Sequence, residues 1–354
     1  MKKKPAKMPT VLYLFNLKTD QDDPILSFSL EWIEEFAKHF DQVKVFTTHK
    51  GKAELNSNVT VTEIGGGSNW SRAIAILRMY RVLFQIISEP QKPIVFHHMS
   101  VHTITMIGLP LKLARVKQGM WYSHSAKNLE LRIASIWATK IFSSSPAAFP
   151  LKRKKTEYVG HGIKTSNFLL NIQRTEGNDF RVVSIGRITP IKSLEKIIEA
   201  LHLSNFPNKK VTFIGPIDEK DFNYYEKLKT IGQRLNVEIE FQNSVPRKLV
   251  PNILEKYGIF YTGTPGSTDK AAIEAAIAGC YILTVNPDTQ KLLGMSDFWK
   301  SNQLNSPSLI EQFEFIANRP NEFIEGDRKS ISSIAASNND LSNVVVKMVH
   351  ALSS

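Results

Sequence analysis

Short apolar runs alternate with segments of helical periodicity along the first half of the chain. The apolar runs predict β-strands, whereas apolar residues spaced three and four positions apart predict helices. The predicted strands are Val11–Leu17, Val43–Thr48, Val59–Ile64, Ile94–His98, Gly119–Ser123 and Lys140–Ser144. The predicted helices are Ile25–Phe40, Trp70–Ser88, Val101–Ala114 and Leu129–Ala138. Strands and helices that alternate in this way indicate a doubly wound parallel α/β sheet.

The same alternation begins again near residue 180. The second set of predicted strands is Arg181–Ile185, Val211–Gly215, Val237–Phe241, Ile259–Thr262 and Tyr281–Val285. The second set of predicted helices is Ser193–Leu203, Asp221–Arg234, Arg247–Tyr257 and Lys270–Ala278. The polar stretch Thr165–Asn178 has the composition of a connection between domains.

We therefore predict two Rossmann-like domains, residues 1–160 and residues 161–354, that face a central cleft. The tail from Ser306 to Ser354 has a helical pattern, and its segment Val344–Leu352 is apolar. We expect these C-terminal helices to dock back on the first domain. The length of 354 residues suits two domains better than one.

The positive charge of the chain is concentrated in its first half. The formal net charge is +12, and residues 1–155 carry all of it, whereas residues 156–354 are neutral in sum. Residues 101–155 alone carry +9. Several aromatic residues lie among the basic ones, namely Trp70, Trp121, Trp137 and Phe149. This composition favours an anionic membrane surface or a phosphate-bearing lipid acceptor over nucleic acid, for which there is no motif. A merely solvated basic surface is the alternative.

Several classes of protein are disfavoured by what the sequence lacks. The single cysteine, Cys280, excludes a disulfide framework, and the nine histidines show no zinc-ligand spacing. No G-x-G-x-x-G follows a strand, and Asp20–Asp23 is better interpreted as a turn than as a metal site. We expect no metal and no cofactor. Only VLYLF follows the basic N-terminus, so we expect a cytoplasmic protein, with peripheral contact at the inner membrane face.

The segment Tyr261–Val285 carries the clearest chemical signal. It reads YTGTPGSTDKAAIEAAIAGCYILTV, which is a strand, a polar loop, a short helix and a second strand. That order places backbone N–H groups and the positive end of a helix at a strand's carboxyl edge, where a phosphate can bind. Glu274, within the helix, can accept hydrogen bonds from sugar hydroxyls. The alternative is an ordinary crossover whose loop only caps the helix.

Two further strand ends carry candidate residues. Arg187 and Lys192, in SIGRITPIKSLEKIIEAL, can place two cations against the same phosphates. His124 ends the apolar run GMWYSH, where an imidazole can orient a substrate hydroxyl, although a structural role is equally open. For three other histidines a structural role is the stronger interpretation, namely His97, His98 and His161.

Together these segments resemble the retaining GT-B glycosyltransferases of family four. The resemblance rests on SIGRITPIKSLEKIIEAL, FIGPIDEKDFNYYEKLK and TPGSTDKAAIEAAIAGC, and on WYSHS, IFSSSPAAF and YVGHGI in the first half. It covers most of residues 9–290. It implies that the acceptor binds the first domain, that a nucleotide-diphosphate sugar binds chiefly the second, and that no metal is needed.

The resemblance also implies roles for individual residues. Arg187 and Lys192 match the diphosphate-binding pair, and Glu274 matches the glutamate that holds the nucleotide ribose. His124 matches a histidine near the transferred sugar. The donor loop would comprise Gly266, Ser267, Thr268, Asp269 and Lys270. The family's first glutamate would fall at Gly266, so Asp269 and Lys270 are expected to take part of its role.

The sequence thus predicts a metal-independent hexosyltransferase of cell-surface polysaccharide or lipopolysaccharide biosynthesis. Its substrates would be a nucleotide sugar and a glycan or lipid-linked acceptor. Two alternatives stay open at this point. One is a catalytically silent GT-B module that binds a partner or glycan, and the other is a nucleotide-sugar epimerase of the same shape.

Overall fold

The computed structural model describes residues 11–23, 26–65, 69–168, 180–266, 268–304 and 306–354. The chain divides into two compact units. Unit 1 comprises the residues up to Gly162 together with Asp340–Ser354, and unit 2 comprises Ile163–Asn339. The predicted connection Thr165–Asn178 lies outside the described residues from position 169 onward.

Unit 1 is built on a parallel sheet of seven strands within the described residues. The strands are β1 Val11–Thr19, β2 Gln42–Lys50, β3 Val59–Glu63, β4 Ile94–His98, β5 Lys117–Trp121, β6 Lys140–Ser143 and β7 Thr156–Tyr158. Their order is β3-β2-β1-β4-β5-β6-β7, which is doubly wound about β1. The pattern of apolar runs missed β7, because a three-residue edge strand is too short to give a periodic signal.

Within the described ranges, four helices connect the strands of unit 1, and a fifth returns from the end of the chain. They are α1 Phe28–Ala37, α2 Asn69–Ile87, α3 Val101–Leu113, α4 Leu129–Trp137 and α13 Leu341–Ser353. Helix α13 packs against α1 and β5, and its apolar residues join the core on that face of the sheet. Gly119 makes room for this packing, since a Cβ there would lie 2.8 Å from the Leu352 side chain.

Unit 2 contains a parallel sheet of five strands within the described residues. They are β8 Val182–Ile185, β9 Lys210–Ile214, β10 Glu238–Gln242, β11 Ile259–Tyr261 and β12 Tyr281–Leu283, in the order β10-β9-β8-β11-β12. Strands β8, β9, β11 and β12 are mostly buried within one continuous apolar core, whereas the edge strand β10 is partly exposed. This burial explains why the sequence shows uninterrupted apolar runs here rather than alternation.

Eight helices complete unit 2 in the part of it that the structure describes. They are α5 Glu195–Leu203, α6 Phe222–Leu235, α7 Val250–Leu254, α8 Lys270–Ile277, α9 Pro287–Leu292, α10 Met295–Ser301, α11 Leu309–Ala317 and α12 Asn321–Asn339. The helix predicted over Arg247–Tyr257 is shorter in the structure, because a 3-10 turn at Arg247–Leu249 precedes it. Among the described residues, no helix combines the length and the apolar character needed to cross a bilayer.

Candidate nucleotide-sugar site

The carboxyl edge of the unit 2 sheet gathers most of the predicted site residues. In the observed strand order, β8 is flanked by β9 on one side and β11 on the other, so the winding reverses between β8 and β11. The loops that leave two such strands diverge to opposite faces of the sheet and open a crevice at their ends. The loop after β8 carries Arg187 and Lys192, and the loop after β11 carries Gly266 to Asp269.

The loop after β8 is held in a tight turn by its own glycine and by a buried tyrosine. Gly186 has φ +132°, and a Cβ there would lie 2.6 Å from Lys192 Nζ. Lys192 ends the 3-10 turn Pro190–Lys192. The Tyr261 hydroxyl, at the end of β11, donates to the Ser193 carbonyl across 2.8 Å. Burial raises the pKa of Tyr261, which therefore stays a neutral donor. Backbone and side chain together fix the position of Lys192.

Lys192 bridges the two loops of the crevice. Its ammonium forms a short ion pair with the Asp269 carboxylate and also donates to the Ile185 carbonyl across 3.3 Å. Both side chains of the pair are largely buried. Arg187 differs, since it is exposed and contacts no described residue through an ion pair or hydrogen bond. Among the described residues of the crevice, Lys192 is thus a paired cation, whereas the Arg187 guanidinium has no ion-pair partner.

Asp269 also begins helix α8. Its side chain accepts a hydrogen bond from the Ala271 N–H across 3.3 Å, as an N-cap does. One carboxylate therefore links the helix start to Lys192. The N–H groups of the first helical turn add partial positive charge beside this ion pair. The phosphate loop predicted from the sequence is accordingly a helix start whose N-cap residue is paired with Lys192.

The loop before α8 is fixed by Asn286, a residue that the sequence reasoning did not single out. Its amide nitrogen donates to the carbonyls of Thr264 and Gly266, across 2.7 and 3.2 Å. Thr268 is buried beneath the loop, 3.4 Å from the Thr289 hydroxyl. Ser267 lies outside the described residues. The Asn-Pro pair at the start of α9 was the available signal, because Asn before Pro marks a helix N-cap.

Glu274 lies in α8 and has a partner from a third loop. Its side chain is 5% exposed, and its Oε1 lies 2.7 Å from Arg247 Nη1. Lys270, one helical turn earlier, is 4.0 Å from the same oxygen. Arg247 follows β10, so the loops after β8, β10 and β11 all contribute charge to one edge of the sheet. The sequence reasoning missed Arg247, although the rule applied to Arg187, a cation just beyond a strand's carboxyl end, would have found it.

His124 belongs to unit 1 and is exposed in a loop. Strand β5 ends at Trp121, two residues before the predicted end at Ser123. The His124 Nδ1 atom accepts a hydrogen bond from the Ala126 N–H across 2.9 Å. The neutral imidazole therefore carries its proton on Nε2, which leaves an N–H donor free for a ligand oxygen.

His97 and His98 are core residues of unit 1. Burial lowers the pKa of His97 to about 3, and its Nδ1 lies 2.7 Å from the Thr103 hydroxyl. The ring stacks on Phe15. His98 packs against Trp32, with 4.7 Å between ring centroids. The structural interpretation of both histidines agrees with this environment.

Part of the basic charge in residues 101–155 is used within unit 1. Lys112 and Lys155 donate to the carbonyl of Ile136, in the last turn of α4, across 3.2 and 3.1 Å. Burial, together with the neighbouring cations Lys112 and Arg153, lowers the pKa of Lys155 to about 8. These lysines satisfy the C-terminal carbonyls of a helix. The charge of this segment is thus not wholly available to a partner.

The described residues contain no group of three or more His, Cys, Asp and Glu side chains that could hold a metal ion. The acidic run at Asp20–Asp23 forms a turn, in which Asp20 accepts from the Asp22 N–H and Asp23 from the Leu26 N–H. Lys18 pairs with Asp23 across 2.9 Å. The arrangement matches the predicted turn.

No protein-family model and no curated protein matches the sequence significantly. Solved structures nevertheless share the fold over nearly the whole chain. The glycosyltransferase from Rickettsia africae is 11% identical with a TM-score of 0.70, covering 97% of this chain and 98% of that one. HepE from Anabaena, solved with UDP and glucose, is 12% identical with a TM-score of 0.67, covering 97% and 99%. Sucrose-phosphate synthase from Thermosynechococcus elongatus is 12% identical with a TM-score of 0.66, covering 96% and 97%.

These likenesses, together with two parallel α/β sheets, define the class of fold. The chain has the GT-B fold, with two Rossmann-like domains. At 11–12% identity the likeness extends to the fold and no further. Any statement about the reaction has to come from the site itself.

Proposed function

We propose that the protein is a retaining glycosyltransferase that moves a sugar from a nucleotide-diphosphate donor to a hydroxyl of a glycan or lipid-linked acceptor. One observation carries the proposal. Cations and carboxylates from the loops after β8, β10 and β11 meet at one sheet edge, beside the start of α8. This combination suits a ligand that has both phosphates and hydroxyl groups. HepE, with the same fold, was solved with UDP-glucose.

Arg187 and Lys192 are assigned to the donor's diphosphate. The exposed guanidinium of Arg187 is available for bidentate contact with phosphate oxygens. Lys192 would exchange its partner Asp269 for the diphosphate, or share its charge between the two. The N–H groups at the start of α8 complete the cradle, and Thr268 and Gly266 belong to the loop that leads to it. Negative charge grows on the leaving diphosphate during bond breaking, so these groups stabilise the transition state more than the ground state.

Glu274 is assigned to the ribose hydroxyls of the nucleotide. A carboxylate only accepts hydrogen bonds, so it selects a ligand that presents hydroxyl donors. Arg247 lies in ion-pair contact with this carboxylate, 2.7 Å from its Oε1. Lys270 supplies a weaker second contact.

At Gly266 this chain lacks the carboxylate with which the family that it resembles binds the transferred sugar. Asp269 and Lys270 are the groups nearest in sequence that can bind sugar hydroxyls. The Nε2–H of His124 is assigned as a donor to the same sugar. In the proposed step, the bond between the anomeric carbon and the diphosphate oxygen breaks and a bond to the acceptor oxygen forms on the same face. The acceptor's proton passes to the departing phosphate oxygen, so no added cofactor is required.

The positive charge that a divalent metal supplies in other transferases would come here from Arg187, Lys192 and the α8 amides. We therefore propose a metal-independent reaction. Transfer unaffected by chelation with EDTA would support that assignment, whereas loss of transfer that Mg²⁺ or Mn²⁺ restores would contradict it.

Donor binding is the first test. The protein is screened by thermal shift against nucleoside diphosphates and their sugars, because a ligand of the folded state raises the melting temperature. UDP is the first candidate, given HepE. Arg187→Ala should reduce the shift strongly. Arg234→Ala should not, since Arg234 is an exposed arginine in the last turn of α6, at the opposite edge of the sheet. If no nucleotide shifts the parent protein, the proposal is wrong.

Gly266 gives specific support to a second candidate, a catalytically silent module that binds a nucleotide sugar or glycan. Donor hydrolysis or transfer that is present in the parent and lost in Arg187→Ala and Glu274→Ala would exclude this candidate. An isomerised donor formed without acceptor would instead indicate an epimerase.

The proposal about the acceptor rests on the positive charge of the first half of the chain. We propose an acceptor presented at an anionic membrane, such as a lipid-linked oligosaccharide or a lipopolysaccharide core, with the protein bound at the cytoplasmic face. Retention on anionic vesicles at low salt, lost at high salt, is the expected result. Absence of retention at low salt would remove this part of the proposal.

A further inference from the structure

Helix α2 of unit 1 exposes more apolar surface than a helix needs for its own packing. Five residues between positions 76 and 87 point to solvent although they are large and apolar. They are Ile76, Leu77, Tyr80, Phe84 and Ile87. Leu77 is 69% exposed and Phe84 is 73% exposed. At 100° per residue, these side chains span about 100° of the helix circumference, next to the buried face formed by Met79, Leu83 and Ile86.

The charge of the helix is of one sign. Between Asn69 and Ile87 there are arginines but no aspartate or glutamate. Arg78 and Arg81 lie on the flank next to Leu77, and neither contacts a described residue through an ion pair or hydrogen bond. Around the helix, Ile74 and Gln85 are exposed between these two arginines, so the flank is cationic without being wholly charged. An apolar arc beside a flank whose charges are all positive is typical of helices that lie in the interface of an anionic bilayer.

The same two arginines line a cavity of about 810 Å³ between α2 and the edge of the sheet at β2 and β3. The carboxylates in its wall have other partners. Glu89 binds Lys44 and the Tyr13 hydroxyl, each across 2.6 Å, and Glu63 accepts from the Lys50 N–H across 2.9 Å. Among the described residues of this lining, Arg78 and Arg81 are the cations without an ion-pair partner, and guanidinium groups are suited to phosphate oxygens.

We propose that α2 is the surface on which the protein docks on an anionic lipid bilayer, with the apolar arc in the acyl boundary and with Arg78 and Arg81 on lipid phosphates. A second copy of the chain fits less well. Two α2 helices paired through the same face would bring their arginine flanks together, and α2 has no carboxylate to neutralise them. The inference rests on the proposed function only for its purpose, the approach to a membrane-bound acceptor.

The test is co-sedimentation of the full chain with phosphatidylcholine vesicles, with and without phosphatidylglycerol. The double variant Leu77→Glu/Phe84→Glu should lose at least about tenfold in partitioning to anionic vesicles, because it removes apolar burial and adds repulsion. Arg78→Gln/Arg81→Gln should lose about 30-fold on anionic vesicles at low salt, and little on neutral ones. Leu203→Glu is the matched control. Leu203 is 64% exposed on α5 of unit 2, and its substitution should leave binding unchanged.

A second measurement needs no substitution. Hydrogen exchange of the parent protein, with and without anionic vesicles, should show protection of α2 peptides. The inference is overturned if protection falls elsewhere, for example on residues 101–155 alone, or if the α2 variants bind as the parent does. It is also overturned if Leu77→Glu dissociates a dimer while vesicle binding is absent. The thermal shift with UDP tests the proposed function without vesicles. A failure of the proposed function is therefore distinguishable from a failure of the proposed membrane docking.

Discussion

The pair formed by Arg247 and Glu274 gives the sharpest prediction. Replacement of Arg247 by methionine leaves the Glu274 carboxylate buried, with only the Lys270 ammonium 4.0 Å away. Two unit charges 2.7 Å apart attract by about 6 kcal/mol at an effective dielectric constant of about 20. The cost of removing both groups from water cancels much of this attraction.

The loss of one partner is therefore costlier than the loss of both. Breaking a buried pair costs about 3–5 kcal/mol, and Arg247 is 19% exposed, so we expect about 2–3 kcal/mol for Arg247→Met. The double variant Arg247→Met/Glu274→Gln should cost only about 1 kcal/mol, because no unpaired charge remains. The second substitution should thus restore stability that the first removes.

Urea dependence of hydrogen exchange in α8 peptides measures this effect in unit 2 alone. Binding of UDP by calorimetry measures the functional part, and Arg247→Met and Glu274→Gln should both weaken it by tenfold or more. Arg319→Met is the control, since Arg319 pairs with Asp327 across 2.6 Å in unit 2, with a similar exposure of 18%. It should destabilise without changing UDP affinity. Additive effects of the two single substitutions, within about 0.5 kcal/mol, would refute the coupling.

Three further predictions follow from single residues. The pKa of His97 is about 3 in the folded protein and about 6.5 in the unfolded chain, so the unfolded chain binds the proton first and the folded state loses stability as the pH drops from 6.5 towards 3. At pH 5 the protonation of the unfolded chain costs about 2 kcal/mol of stability. Denaturation at pH 7 and pH 5 should show that His97→Gln reduces the loss of stability between the two pH values by about that amount. Asp269→Asn should tighten UDP binding severalfold in calorimetry, because it frees Lys192, yet lower the transfer rate; equal or weaker UDP binding would contradict the proposed exchange of partners. Gly186→Ala should lower the stability of the protein by about 1–3 kcal/mol and weaken UDP binding, because φ is +132° and the added Cβ would meet Lys192. Gly326→Ala is the control: this glycine lies in α12 with open space around it, so the substitution should be neutral or slightly stabilising in thermal unfolding.

The strand order and the ends of the strands explain how the gathering of candidate residues at the carboxyl edge of the unit 2 sheet could be anticipated. Arg187, Lys192 and Glu274 each follow a recognisable strand or lie in the helix after one, and carboxyl ends of parallel strands share one edge. The partnership of Arg247 with Glu274 escaped, although Arg247 lies just beyond the predicted strand Val237–Phe241, because the two residues are distant in sequence. The partnership of Lys192 with Asp269 also escaped, since the two residues are 77 positions apart.

The sequence by itself determined that the chain forms two α/β domains and that cations and polar loop residues stand at the strand ends of the second. Local periodicity and turn residues are enough for that, because they act over a few neighbouring positions. The tertiary structure alone decided which charges are paired, that α13 returns to unit 1, and which arc of α2 remains exposed. Helix α2 is apolar around most of its circumference, so its periodicity cannot tell the covered side from the uncovered one. The packing of neighbouring elements decides which side of α2 is covered and which is exposed.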